Sequence, residues 1–135
     1  MKWSFLGKTL EFEGRDIISI KDFTREEISH IFKISKSMEP AAQKSSDILR
    51  GKILATLFFE ASTRTRLSFE SAMHKLGGST TGFAEAEMAS VKKRQTLADT
   101  VRTVESYADV IALRHPLEGA ARLAVEGLCE VFHLA

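Results

Sequence analysis

A single cysteine, Cys129, among 135 residues excludes an internal disulfide and fits a reducing compartment. Neither sign of charge predominates. Nineteen basic residues against eighteen acidic ones leave a net charge of +1, which gives no general reason to expect nucleic acid or an anionic membrane as a partner. The densest basic cluster is Lys92, Lys93 and Arg94. Apolar runs stay short of the roughly 20 residues that span a bilayer, and Met1 to Leu10 lacks a signal-peptide core. A soluble cytoplasmic protein is the expectation. Repeats and low-complexity linkers are missing too; only Ser45 and Ser46, within Gln43 to Asp47, read as a polar loop. The four histidines, His30, His74, His115 and His133, have no mutual spacing that suggests a metal site, and Glu85 and Glu87 complete none. Cys129 reads as a small buried apolar residue. A chain of this length supports one core, hence one domain from about residue 14 to 135, with residues 1–13 as an extension that either docks or stays mobile.

What is present centres on Leu57 to Gly78. The uncharged run from Ile53 to Phe59 has no alternation, which suits a strand buried on both faces of a parallel sheet. Ser62 is a natural N-cap whose side chain would accept a backbone N–H one turn on. Leu67, Phe69, Ala72, Met73 and Leu76 supply an apolar helical face, and Gly77 and Gly78 stop the helix. Free N–H groups, the hydroxyls of Ser62, Thr63 and Thr65, and the Arg64 guanidinium converge where strand meets helix. Such a place favours phosphate. Spacing alone leaves open the alternative of an ordinary capped helix with two solvated arginines.

Upstream, Thr24 followed by Glu27, flanked by Phe23 and Ile28, is a capping box with a hydrophobic staple. The helix it opens is expected to bury Ile28, Ile31, Phe32 and Met38 and to end before Pro40. Downstream, Ser79 to Phe83 reads as a second buried strand, and 84–95 as a loop long enough to be functional. Thr96, with Asp99 at the third position, caps a helix whose apolar face is Leu97, Val101, Val104 and Ala108. Val110 to Leu113 is a third strand and Glu118 to Glu126 a helix of small residues. The alternation of strands and helices implies an α/β fold with right-handed crossovers, a parallel sheet and helices on both faces. Ligands bind such sheets at the carboxyl ends of the strands, where Ser62 to Thr65, the 84–95 loop and Arg114 all fall.

Arg114 ends a buried strand, so its charge needs a partner: a bound phosphate, or a structural carboxylate such as Glu118. His115, next along the strand, points the other way and reads as structural. Ser90, Val91, Lys92 and Lys93 form a basic loop, most simply a solvated surface.

Ser62-Thr63-Arg64-Thr65-Arg66, followed by Leu67-Ser68-Phe69-Glu70, resembles the carbamoyl-phosphate signature of the aspartate and ornithine carbamoyltransferases. The run from Arg114-His115-Pro116 through Arg122-Leu123-Ala124 is similar to the aspartate branch, and the ornithine branch differs after that arginine. The resemblance implies that Arg64, Thr65 and Arg114 act on the reacting groups while Ser62 and Thr63 orient the phosphate. It implies that the loop carrying Ser90 and Lys93 reaches a neighbouring subunit's site, with Lys93 also touching the aspartate substrate. Arg94-Gln95 departs from the family's usual Gly-Glu, so this loop gains a charge and loses a flexible residue.

The resemblance further implies transfer of a carbamoyl group from carbamoyl phosphate to the amino group of L-aspartate, a step toward pyrimidines, without metal or cofactor. It implies a homotrimer with shared sites and leaves room for a regulatory chain. It covers Gly14 to about Glu126. Beyond that the family's next strand, Gly-Asp turn and His-Pro-x-Gln motif are not legible, and no aspartate-binding domain follows, so the fold is expected to be incomplete at its C-terminal end. The alternatives are a noncatalytic anion-binding or oligomerising homologue and, less well matched, an ornithine-type enzyme.

Overall fold

The computed structural model describes residues 3–5, 8–10, 12, 14–44, 46–84, 96–126 and 132–134. The uncharged run forms strand β3 (Ile53–Phe58), buried along all but its first residue. It lies inside a four-stranded sheet with β4 (Ser79–Ala84), β5 (Val110–Arg114) and β6 (Phe132–Leu134), in the order β4-β3-β5-β6. Each neighbouring pair is parallel, as expected from the alternating pattern. Strands β1 (Trp3–Phe5) and β2 (Lys8–Leu10) form a separate antiparallel hairpin.

Alternation along β3 divides the core into two layers. Ala55 and Leu57, with Ile111 of β5, pack against Val101 of helix α3 (Leu97–Glu105) and Ala124 of helix α4 (Ala120–Glu126). Leu54 and Ala112 face the other way, onto Met73 and Phe69 of helix α2 (Thr63–Lys75). Helices therefore cover both faces. The chain steps one way across the sheet through α2 and back through α3 and α4, and right-handed crossovers put such helices on opposite sides. On the α2 face, Leu49, Leu54, Phe69, Met73, Leu76 and Val110 surround an apolar cavity of about 390 Å³.

Helix α1 (Arg25–Lys44) opens on the expected capping box. The Glu27 amide donates to Thr24 Oγ1 at 3.2 Å, and the Thr24 amide donates to Glu27 Oε2 at 2.7 Å. Its end departs from expectation: the helix runs through Pro40 to Lys44, absorbing Gln43 and Lys44 from the supposed loop. Pro40 is exposed, so water can take the carbonyl that its missing N–H leaves free, and the break is tolerated. None of the residues of α1 is fully buried; Ile31 is 37% and Phe32 69% exposed, against the expected burial. The helix packs on α2, one layer out from the sheet.

Arg15 ties the preceding segment to α1. Its guanidinium lies 4.4 Å from the Phe23 ring centroid and pairs with Glu27, while Phe12 stacks on His30 at 5.8 Å. Strand β4 differs from its expected burial. As the sheet's edge it has only β3 beside it among the described residues, and all its residues are exposed but Thr80 and Phe83, which are half-buried. Gly82 permits the close pairing. At φ 128° a Cβ there would stand 2.1 Å from the Thr56 carbonyl oxygen. At the opposite end of the strands, Asp109 accepts from Lys52 Nζ at 2.7 Å and from the Ile53 amide at 2.9 Å, fixing the start of β5 against the start of β3. The strand β6 that follows α4 is a further difference, since the sequence after Glu126 does not announce it.

Candidate anion-binding site at the carboxyl edge of the sheet

Four residues separate the end of β3 from α2, and they carry the chain over the carboxyl edge. Ser62 is the N-cap by position, and the Arg66 amide donates to its carbonyl at 3.0 Å. Its side chain makes no capping bond, contrary to expectation. With ψ at 76° the hydroxyl turns away from the first-turn amides and donates to Thr65 Oγ1 at 3.0 Å. Two consequences follow. Among the described residues the opening amides of α2 make no bond to the Ser62 side chain and keep their donors for an outside acceptor, and the Thr65 hydroxyl, already accepting, has its own proton to give. Thr63 and Arg64 are exposed beside them, and the Arg64 side chain has no hydrogen bond or ion pair among the described residues.

Arg114 is brought to the same edge by register. It stands opposite Phe58, and its carbonyl accepts from the Phe59 amide at 2.8 Å. Its side-chain partner is Glu60, with Nε 3.3 Å from Oε2, rather than Glu118. The contact is an ion pair by distance but poorly aligned as a hydrogen bond, so the buried Nε proton is left without an acceptor. His115 follows the structural reading: its Nδ1 accepts from the Leu117 amide at 3.1 Å, and its ring lies 5.0 Å from that of Phe59. That bond requires Nδ1 to be unprotonated.

Beyond the long loop, Thr96 is the expected cap, the Asp99 amide donating to Thr96 Oγ1 at 3.1 Å, and the Asp99 carboxylate accepts in return from the Thr96 amide at 3.2 Å, completing a capping box. Hydrogen bonds from Thr96 hold the Asp99 carboxyl below its usual range. Ser90 and Lys93, with Glu85 and Glu87, lie in 85–95, outside the described residues, as does Cys129.

Ser62, Thr63, Arg64, Thr65 and Arg114 thus fall at one edge of the sheet, where the positive terminus of α2 and the exposed Arg64 stand beside the ion pair of Arg114 with Glu60. Such an arrangement can hold a phosphate and polarise an oxygen attached to it. Sequence reasoning missed Glu60. A charge placed directly after an uncharged strand, in the turn that also holds Ser62, was the available signal, but its partner depends on the pairing of β3 with β5.

The model of the carbamoyl-P binding domain of the aspartate/ornithine carbamoyltransferases matches residues 15–132. The aspartate carbamoyltransferase catalytic subunits of Thermococcus onnurineus and Thermococcus kodakarensis are each 60% identical over 119 residues, a stretch covering 87% of this chain and 38% of theirs. The catalytic subunit of M. jannaschii aspartate transcarbamoylase superposes with a TM-score of 0.82 at 46% identity, covering 88% of this chain and 40% of that one. The Trypanosoma cruzi aspartate transcarbamoylase, solved with carbamoyl aspartate and phosphate, gives 0.80 at 36% identity over 90% of this chain and 40% of its own. The chain therefore spans about two-fifths of the length of these relatives.

Proposed function

Since the chain belongs to the aspartate/ornithine carbamoyltransferase family and carries its carbamoyl-P binding domain, we propose that it supplies the carbamoyl-phosphate half of an aspartate carbamoyltransferase site. The observation that carries this reading is the placing of Arg64, the uncapped first turn of α2 and Arg114 at one sheet edge. Relatives at 60% identity bear the aspartate name, which favours that branch over the ornithine one.

In the reaction the aspartate amine attacks the carbamoyl carbon, the new C–N bond forms, the bond to the phosphate oxygen breaks, and the proton that the amine gives up is taken by the departing phosphate. Negative charge grows on the carbonyl oxygen and on the departing phosphate. Arg64, Thr65 and Arg114 meet that charge, and Ser62 and Thr63 orient the phosphate. Lys93 and Ser90 complete the site from a neighbouring subunit, Lys93 also gripping aspartate. This requires a homotrimer, with a regulatory chain as an optional partner, and places the protein in the cytoplasm among the enzymes that build pyrimidines. The chemistry draws on no metal or cofactor. Among the described residues no helix is long and apolar enough to cross a membrane.

The rival is a noncatalytic anion binder on the same domain. Two measurements decide: calorimetry with carbamoyl phosphate, and steady-state formation of carbamoyl aspartate by the chain with and without a polypeptide supplying the remainder of a relative. Binding with rescue of turnover supports the split site. Binding without rescue supports the noncatalytic homologue, and no binding removes both.

A further inference from the structure

Helix α2 turns an unusual stripe toward the sheet. Met73 packs there against Leu54 and Ala112, as an inward position should. The positions one and two turns earlier on the same stripe hold Glu70 and Arg66, joined by Nε to Oε1 at 3.2 Å. Beneath them lies Thr56, 1% exposed and the one polar side chain buried to that degree among the described residues. Its hydroxyl donates to the same Glu70 oxygen at 3.1 Å, with the Thr81 carbonyl at 3.4 Å as a longer alternative. Two apolar residues would fill this space at least as favourably, because a partly buried ion pair gains little over the solvation it gives up. The pair therefore needs a reason other than packing.

Its position supplies one. Thr56 belongs to the strand that enters the anion-binding turn and Glu70 to the helix that leaves it, so their bond is a strut spanning Ser62 to Thr65. The same carboxylate ties down Arg66, the second guanidinium of the Ser-Thr-Arg-Thr-Arg run, while Arg64 stays unpaired among the described residues. We infer that Glu70 is a positioning residue: it fixes the first turn of α2 over the sheet edge and withholds Arg66, so that the turn presents one arginine matched to a single phosphoryl group. This rests on the anion-site reading above.

The test compares affinity for inorganic phosphate and for pyrophosphate, by calorimetry, in the unsubstituted chain, Glu70→Gln, Thr56→Val and Glu70→Gln/Arg66→Ala. Glu70→Gln keeps an acceptor for Thr56 and frees Arg66. The preference for pyrophosphate over phosphate then rises about two- to fivefold, the size of one partly screened charge interaction. Adding Arg66→Ala returns the preference to its starting value. Thr56→Val, nearly isosteric, lowers affinity for both anions in parallel. A purely structural role for Glu70 shifts both affinities together with the melting temperature and leaves their ratio fixed; that result overturns the inference, as does unchanged affinity in Thr56→Val. Phosphate binding by the unsubstituted chain separates these failures from failure of the site, whose absence overturns both.

Discussion

Glu60 and Arg114 face each other across the ends of β3 and β5, 3.3 Å apart. The carboxylate occupies the guanidinium that the proposed ligand needs. An incoming phosphate must therefore compete with Glu60, and removing that competitor should tighten binding. Both groups are close to half exposed, so the pair is worth only about 0.2 to 1 kcal/mol. Glu60→Gln is expected to raise phosphate affinity by up to about fivefold, read by calorimetry. A fall in affinity would show that Glu60 positions Arg114 for the ligand rather than shielding it.

Arg64→Ala should act in the opposite sense. The side chain has no hydrogen bond or ion pair among the described residues, so its loss leaves the thermal midpoint unchanged. Removing each charge-assisted hydrogen bond to phosphate costs about 1.5 to 3 kcal/mol, or roughly 10- to 150-fold in affinity. Equal affinity of mutant and parent would remove Arg64 from the site.

The clamp at the other end of the strands predicts a pH dependence. Bonds from Lys52 and from the Ile53 amide hold the Asp109 carboxyl below its usual range. A depressed carboxylate stabilises the fold fully above its unfolded value of about 3.9 and loses that contribution as pH falls through the lower folded value. Asp109→Ala should cost about 1 to 2 kcal/mol at neutral pH, at the low end for hydrogen bonds to a charge because the site is partly exposed. The difference between mutant and parent should shrink below pH 4. Denaturant midpoints measured from pH 7 to 2.5 check it; a gap that stays constant across the series would exclude the clamp.

Pro40 offers a gain in stability. It removes one backbone bond from the interior of α1 and crowds the carbonyl four residues back, a defect that costs about 3 kcal/mol in an unconstrained helix. Pro40→Ala should recover about 1 to 3 kcal/mol, visible as a higher melting temperature. No change would mean that the helix is already frayed beyond Glu39.

The chain alone should bind carbamoyl phosphate and turn it over poorly. Holding both reactants in line accounts for about 7 to 11 kcal/mol of a typical barrier of this kind, and the phosphate-side residues grip only one of them. Family-like rates from the chain alone would contradict the half-site reading.

Local signals were the legible ones. The box at Thr24 with Glu27 and the cap at Thr96 with Asp99 at its third position formed as read, because each needs only residues three apart. The strand-turn-helix around Ser62 and the parallel order of strands also follow from chain-local pattern. What failed depends on neighbours distant in sequence. The exposure of β4 comes from its place at the sheet's edge, and the exposure of Phe32 from α1 lying one layer out. The pairing of Arg114 with Glu60 rather than Glu118 comes from the register of β5 on β3. Ser62 misled for a subtler reason: its residue type suits a cap, but its backbone angles send the hydroxyl to Thr65.

The clamp between Ile53 and Asp109 joins groups 56 residues apart, and that distance sets a waiting time during synthesis. At roughly 5 to 20 residues per second, β5 leaves the ribosome about 3 to 11 seconds after β3. Through that interval β3, whose last five residues are buried in the finished fold, has one of its hydrogen-bonding edges bare. Nascent chains stalled between residues 84 and 110 should therefore be strong clients of holdase chaperones, and released chains that end there should aggregate.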